Sequence, residues 1–272
     1  MTGPAPGALA PGRPAAGATA YSGEAVLWIA LGAAFSPVAF DLTRHWIEFP
    51  WARYSIVFPF LFVRCALRAE RKRPAPAGLI WVIAGLALEL AAAFAGAIRW
   101  ARPGLAIAVI GMCQRLGLGR WPLWALVLFA VPAPNFIVEL GAPGPATALA
   151  AIAAGGWLLL GVDVDGAMRA LDAVSLFPNE HWLALAPLCA GLAWYEGILV
   201  ARPVPRAIAA SAAAAALAIP IELVARAVAL GAAAAGATQS ALALLGDATW
   251  IAVAAAGIAL AESRLHAQRS AR

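Results

Sequence analysis

The chain has 272 residues, 63% of them hydrophobic and only 12% charged, with a mean hydropathy of +0.83. That leaves too little polar surface to coat a water-soluble globule of this length, so an integral membrane protein is expected. A net charge of +5 and a pI near 9.7 do not indicate nucleic-acid binding, because the basic residues fall in short clusters beside apolar blocks, the pattern of cytoplasmic loops facing anionic lipid.

Residues 1–22 are rich in Ala, Pro and Gly and lack the charged start and apolar core of a signal peptide. They are expected to form a disordered cytoplasmic tail, followed by a single membrane domain over 23–262 and a basic cytoplasmic tail over 263–272. A membrane span needs about 20 apolar residues. Segments of that kind occur at about 24–40, 54–69, 77–98, 104–118, 121–134, 182–200, 206–236 and 241–262. The expected fold is therefore all-α, a polytopic membrane protein of about eight transmembrane helices.

Between the fifth and sixth segments, 136–161 is apolar but broken by "GAPGP". The arginine clusters 64–73, 115–120, 202–206 and 264–272 should be cytoplasmic, and the acidic stretch "DVDGAMRALDAVSLFPNEH" should lie outside. With 121–134 leaving the cytoplasm and 182–200 returning to it, 136–161 must begin and end outside, as a re-entrant or interfacial segment. Arg99 and Arg102 then sit on the outer side, against the positive-inside rule.

An ionisable group inside a bilayer is costly and is a functional candidate by default. Glu89, Glu196, Glu222, Arg226 and Asp247 fall within the spans, and Glu139 joins them where the broken segment enters the bilayer. By helical rise, Cys189 lies about 10 Å below the outer end of its span, Arg226 about 15 Å and Asp247 about 9 Å. These three are expected to share one layer on three consecutive spans. A cation there can lower a thiol pKa or hold an oxyanion. Each residue also has a plainer role: Cys189 as a small packing residue, Glu222 with Arg226 as an i,i+4 ion pair, and Asp247 as a helix cap after Gly246.

Several stretches, taken in order, resemble the exosortase/archaeosortase family. They are "RYSIVFPFLFVRCALR", "LWALVLFAVPAP", "LLLGVDVDG", "LCAGLAW" and "AIPIELVARAVAL", over about residues 51–262. The resemblance implies a polytopic cysteine enzyme that cleaves and re-attaches secreted proteins at a C-terminal sorting signal. It also implies that Cys189 is the nucleophile and Arg226 the stabiliser of thiolate or oxyanion. The family's histidine in the last span is replaced by Asp247 or Ala248, its serine after the nucleophile by Ala190, its asparagine by Leu223 and its early histidine by Ile56.

The remaining histidines offer little as a base. His181 stands about 12 Å up the helix from Cys189 and about 80° off its face. His266 belongs to the cytoplasmic tail, and His45 sits in the first outer loop beside Trp46. Asp247, or a loop histidine such as His45 folded back over the site, is expected to manage the proton, and Asp247 is the better partner for Arg226.

The primary expectation is thus an exosortase-like cysteine peptidase or transpeptidase. It would sit in a bacterial inner membrane with a cytoplasmic C-terminus, and its partners would be the bilayer and the tail of a secreted protein. Two alternatives are a catalytically degenerate homologue acting as scaffold or complex subunit, and a small-solute transporter built on the broken helices at "VPAPN" and "GAPGP". No cofactor is implied: Cys65, Cys113 and Cys189 show no CxxC spacing, and no phosphate-cradling loop or metal-ligand cluster occurs.

Overall fold

The structure, a computed structural model, describes residues 16–69, 75–118, 121–132, 143–174 and 181–270. Among them the regular elements are helical and no strand forms. The chain divides into two compact units, Met1–Pro37 and Val38–Arg272. In the first, α1 (Ala16–Ala34) is a 19-residue helix rich in alanine, the residue that loses least on entering a helix. The tail expected over 1–22 thus gives way to helix at Ala16, and its first fifteen residues lie outside the described residues. Helix α2 (Ser36–Glu48) begins at the junction.

In the second unit a tight turn of 3-10 helix, Pro50–Ile56, leads into α3 (Val57–Arg68). Helices α4 (Gly78–Phe94), α5 (Arg102–Arg115), α6 (Trp121–Phe129), α7 (Pro143–Leu159) and α8 (Asp165–Val174) follow. The last part consists of α9 (His181–Leu199), α10 (Val204–Ala216), α11 (Ala218–Ala234), the short α12 (Thr238–Ala243) and α13 (Thr249–Ser270). The expected basic tail is mostly helix, because α13 runs on to Ser270.

Helix α9 is the hub. It packs against α3, α6, α10, α11, α13 and the 3-10 turn, and the core around it contains fully buried Phe58, Leu126, Leu185, Leu188 and Tyr195. A second core joins α7, α8, α11 and α12 through Ala153, Ala167, Ala229, Leu230 and Ala241. There the Trp157 indole lies on Gly231 and donates to the Ala227 carbonyl at 2.7 Å. Helices α4 and α5 approach backbone to backbone: a β-carbon at Gly111 would stand 2.6 Å from the Gly78 carbonyl oxygen, and one at Gly104 would stand 2.8 Å from that of Gly85. Small residues at seven-residue spacing are what permit such contact between apolar helices.

By length and composition, two helices among the described residues can cross a membrane: Val204–Ala234, of 31 residues, and Thr238–Ser270, of 33. A third is reached when Ala25–Ala34 and Ser36–Glu48 count as one broken span. About eight were expected. The difference arises where apolar sequence is not continuous helix: in 54–69 a 3-10 turn precedes only twelve residues of α3, and in 121–134 α6 stops at Phe129. Helix α4, at 17 residues, and Ala184–Leu199 of α9 are apolar but shorter than the spanning length. In the segment 136–161, residues 136–142 lie outside the described residues; the rest is mainly α7, packed on α11.

The outward faces of these helices carry Phe60, Leu67, Ile80, Ile83, Phe94, Leu159, Ile219 and Val224, each more than half exposed. So much bare apolar surface suits lipid rather than water, which together with the two long helices points to membrane association.

Candidate functional site

Cys189 sits in the middle of α9, reduced and 8% exposed, directly after fully buried Leu188. Pro187, just before it, has no N–H to give the carbonyl one turn back, so the helix carries a gap in its hydrogen-bond ladder here. The helical wheel fixes which way the thiol faces. The Phe58 ring packs on Gly191, about 200° round the helix from Cys189. Leu192, only about 60° away, packs on Gly257 of α13. The thiol is therefore turned from α3 toward the α13 side.

The same contacts correct the expected layer. Leu192 meets Gly257, Tyr195 meets Glu262 and Glu196 meets Arg264, so α9 and α13 run parallel. Cys189, three residues before Leu192, is level with about residue 254, and Asp247 lies about 10 Å farther toward the start of α13. Counting from segment ends misplaced Asp247 because the helix is irregular there. Leu244–Ala248 forms a π-type turn, and Gly246 leaves the helical region altogether (φ −99°, ψ −128°). Asp247 is also fully engaged. Its Oδ2 accepts from Arg53 Nη1 at 2.6 Å and its Oδ1 from the Trp250 indole at 2.9 Å. The expected partnership with Arg226 is replaced by one with Arg53, 194 residues away in sequence.

Arg226 is held by its own helix. Its Nε donates to Glu222 Oε1 at 2.6 Å, and both side chains are buried. The pair lies on α11 between Ala218, which belongs to the core around α9, and Ala229 with Leu230, which belong to the second core. Glu222 does not satisfy the whole guanidinium: Arg226 Nη2 is buried with no hydrogen-bond partner among the described residues. Helix α11 packs directly on α9, the helix of Cys189.

The other candidates are dispersed. His45 is buried against the Phe49 ring, with centroids 4.3 Å apart, so it packs into the fold instead of overhanging the thiol. His266 is exposed near the end of α13, far from Asp247, and His181 opens α9. Glu89 is half-buried on α4, Glu139 lies outside the described residues, and Cys65 and Cys113 are buried elsewhere. Arg102, one of the two arginines that broke the charge rule, is buried and answered by Asp41 at 2.8 Å.

Sequence reasoning missed what lies at the other end of α9 and α13. Glu196 accepts from Arg264 at 2.5 Å and Arg202 at 3.0 Å, and Glu262 accepts from Tyr195 Oη at 2.6 Å and Arg64 at 2.8 Å, with Arg68 at 3.5 Å. The signal was present, since these arginines come from three of the four clusters that the charge rule assigned to one side. Of the carboxylates on which they converge, Glu196 was named as a candidate within the spans and Glu262 was not, and the convergence of arginines on the two was not foreseen.

No group of three or more His, Cys, Asp or Glu side chains that could hold a metal ion occurs among the described residues. Compared with known proteins, the chain matches no family model, no curated protein and no solved structure.

Proposed function

We propose that the chain is an exosortase-like membrane protein, in which the Cys189 thiol attacks a peptide carbonyl in the C-terminal tail of a secreted protein at the outer side of a bacterial inner membrane. The observation that carries this reading is Arg226. It is a buried guanidinium, fixed through Nε by Glu222, with Nη2 unpartnered among the described residues, on a helix packed against that of Cys189. A buried donor without a partner costs about 1–3 kcal/mol. A developing oxyanion is the kind of group that uses such a donor.

In the acylation step the Cys189 Sγ bonds to the carbonyl carbon, the C–N bond breaks, and the thiol proton ends on the departing amine. Arg226 Nη2 donates to the oxygen that becomes negative. Glu222 acts through Arg226 as a positioning residue. Asp247, with both oxygens occupied and about 10 Å displaced, takes no part in the proton transfer. The arginine-rich ends of α3, α9 and α13 would face the cytoplasm, which turns the opposite end of the bundle outward.

The same pairings favour a second reading, a catalytically silent homologue serving as a membrane scaffold or complex subunit. In it Glu222 and Arg226 simply neutralise one another, and Cys189 packs.

Co-expression with a secreted protein bearing a C-terminal sorting tail, read by product mass, separates the two. Tail removal by the wild type, its loss in Cys189→Ala and a roughly 100-fold slowing in Glu222→Gln/Arg226→Gln are expected of the enzyme. Equal processing by wild type and Cys189→Ala contradicts it, and a retained tail in all three supports the scaffold.

A further inference from the structure

The arginine end encloses a cavity of about 740 Å³ between the ends of α3, α9 and α13 and the starts of α6 and α10. Its wall is of two kinds. Arg68, Arg202 and Arg269 supply guanidiniums, whereas Leu123, Trp194 and Leu265 are among the apolar side chains that complete it. The charge around it is unbalanced. Four guanidiniums, of Arg64, Arg68, Arg202 and Arg264, pair with the two carboxylates Glu196 and Glu262, and Arg269 adds a fifth positive charge at the cavity wall. Arg68 reaches Glu262 only at 3.5 Å, and its side chain is nearly half exposed.

The frame of the cavity is fixed. The Trp194 indole donates to the Pro122 carbonyl at 2.7 Å, tying α9 to α6. The chain leaves α9 through Ala201, whose φ of +51° is the left-handed conformation that usually falls to glycine. A non-glycine residue held there is strained, and such strain gathers at functional sites. The Arg202 amide closes the turn on the Gly197 carbonyl at 2.8 Å, and its side chain pairs with Glu196.

We propose that this cavity binds a phosphate-bearing anion, and that the headgroup of an acidic phospholipid is its source. Guanidiniums match phosphate oxygens in fork geometry, surplus positive charge between helices near a membrane surface recruits acidic headgroups, and the apolar wall accepts the start of an acyl chain. This site lies at the C-terminal end of α9, its lining on that helix beginning at Trp194 and not including Cys189, and it does not depend on the thiol reading.

The full-length protein in nanodiscs of phosphatidylcholine, titrated with phosphatidylglycerol and read by native mass spectrometry, tests it. Phosphatidylglycerol should be retained at least tenfold more than phosphatidylcholine. Arg68→Gln/Arg269→Gln should abolish that preference, and Arg269→Gln alone, at an exposed position in the last turn of α13, should reduce it. Arg44→Gln, at an exposed ion pair elsewhere, should leave it intact. Inorganic phosphate at millimolar concentration should not displace the lipid; displacement identifies free phosphate as the ligand and overturns the lipid assignment. Equal retention of the two lipids, or a preference unchanged by both arginine variants, overturns the site altogether.

Discussion

The two ends of the parallel pair α9 and α13 handle charge in opposite ways. At the end bearing Asp247, a single carboxylate is matched by a single guanidinium, Arg53, and both are partly exposed. At the other end, two carboxylates gather arginines from three separate parts of the chain around a cavity. On α11, the Glu222–Arg226 pair is wholly buried and spans one helix turn. One-to-one pairing neutralises and fixes position. A surplus of one sign leaves capacity for something outside the chain. The α11 pair is intermediate, since its charges balance but one buried donor is left over.

This contrast can be broken most sharply at the α11 pair. Glu222→Ala strands a buried guanidinium and should cost about 3–5 kcal/mol, seen as a large fall in thermal unfolding temperature in detergent. Glu222→Leu/Arg226→Met removes both charges and should recover most of that loss; an unperturbed single variant would mean that the pair is not buried. At the arginine end, Tyr195→Phe removes a buried hydrogen bond to a carboxylate. It should cost about 2 kcal/mol by the same assay, and loss of less than a quarter of that would show Glu262 to be satisfied by arginine alone. The smallest effect belongs to the Asp247 end. Asp247→Asn should cost less than about 1 kcal/mol, because exposed ion pairs contribute little. It should also leave tail processing unchanged, whereas a processing defect would restore Asp247 to the reaction.

The features legible in the sequence were local ones. The four-residue spacing of Glu222 and Arg226 announces their pair, and the apolar blocks 206–236 and 241–262 are the two long helices. Arginines from three of the four basic clusters, Arg64, Arg202 and Arg264 among them, meet at one end, and clusters of net charge are visible in a chain without knowing its fold. What escaped were contacts that depend on tertiary approach. Arg53 reaches Asp247 across 194 residues, and Tyr195 reaches Glu262 across 67. The depth of Asp247 was misread because rise per residue assumes an unbroken helix, and Gly246 breaks it. Fewer helices of spanning length occur among the described residues than apolar blocks for a related reason: hydropathy registers apolar residues whether or not they are joined in one helix, as the turn at Pro50–Ile56 shows.

The claim at the centre is that Cys189 is a reactive thiol reached from the Asp247 end of the bundle and served by Arg226. With Cys65 and Cys113 replaced by serine, the rate of Cys189 modification by a membrane-impermeant maleimide in sealed, right-side-out vesicles tests it most directly. Modification from the outside, slowed in Glu222→Gln/Arg226→Gln, is expected. A Cys189 that reacts only after denaturation contradicts the claim and leaves the thiol as a packing residue.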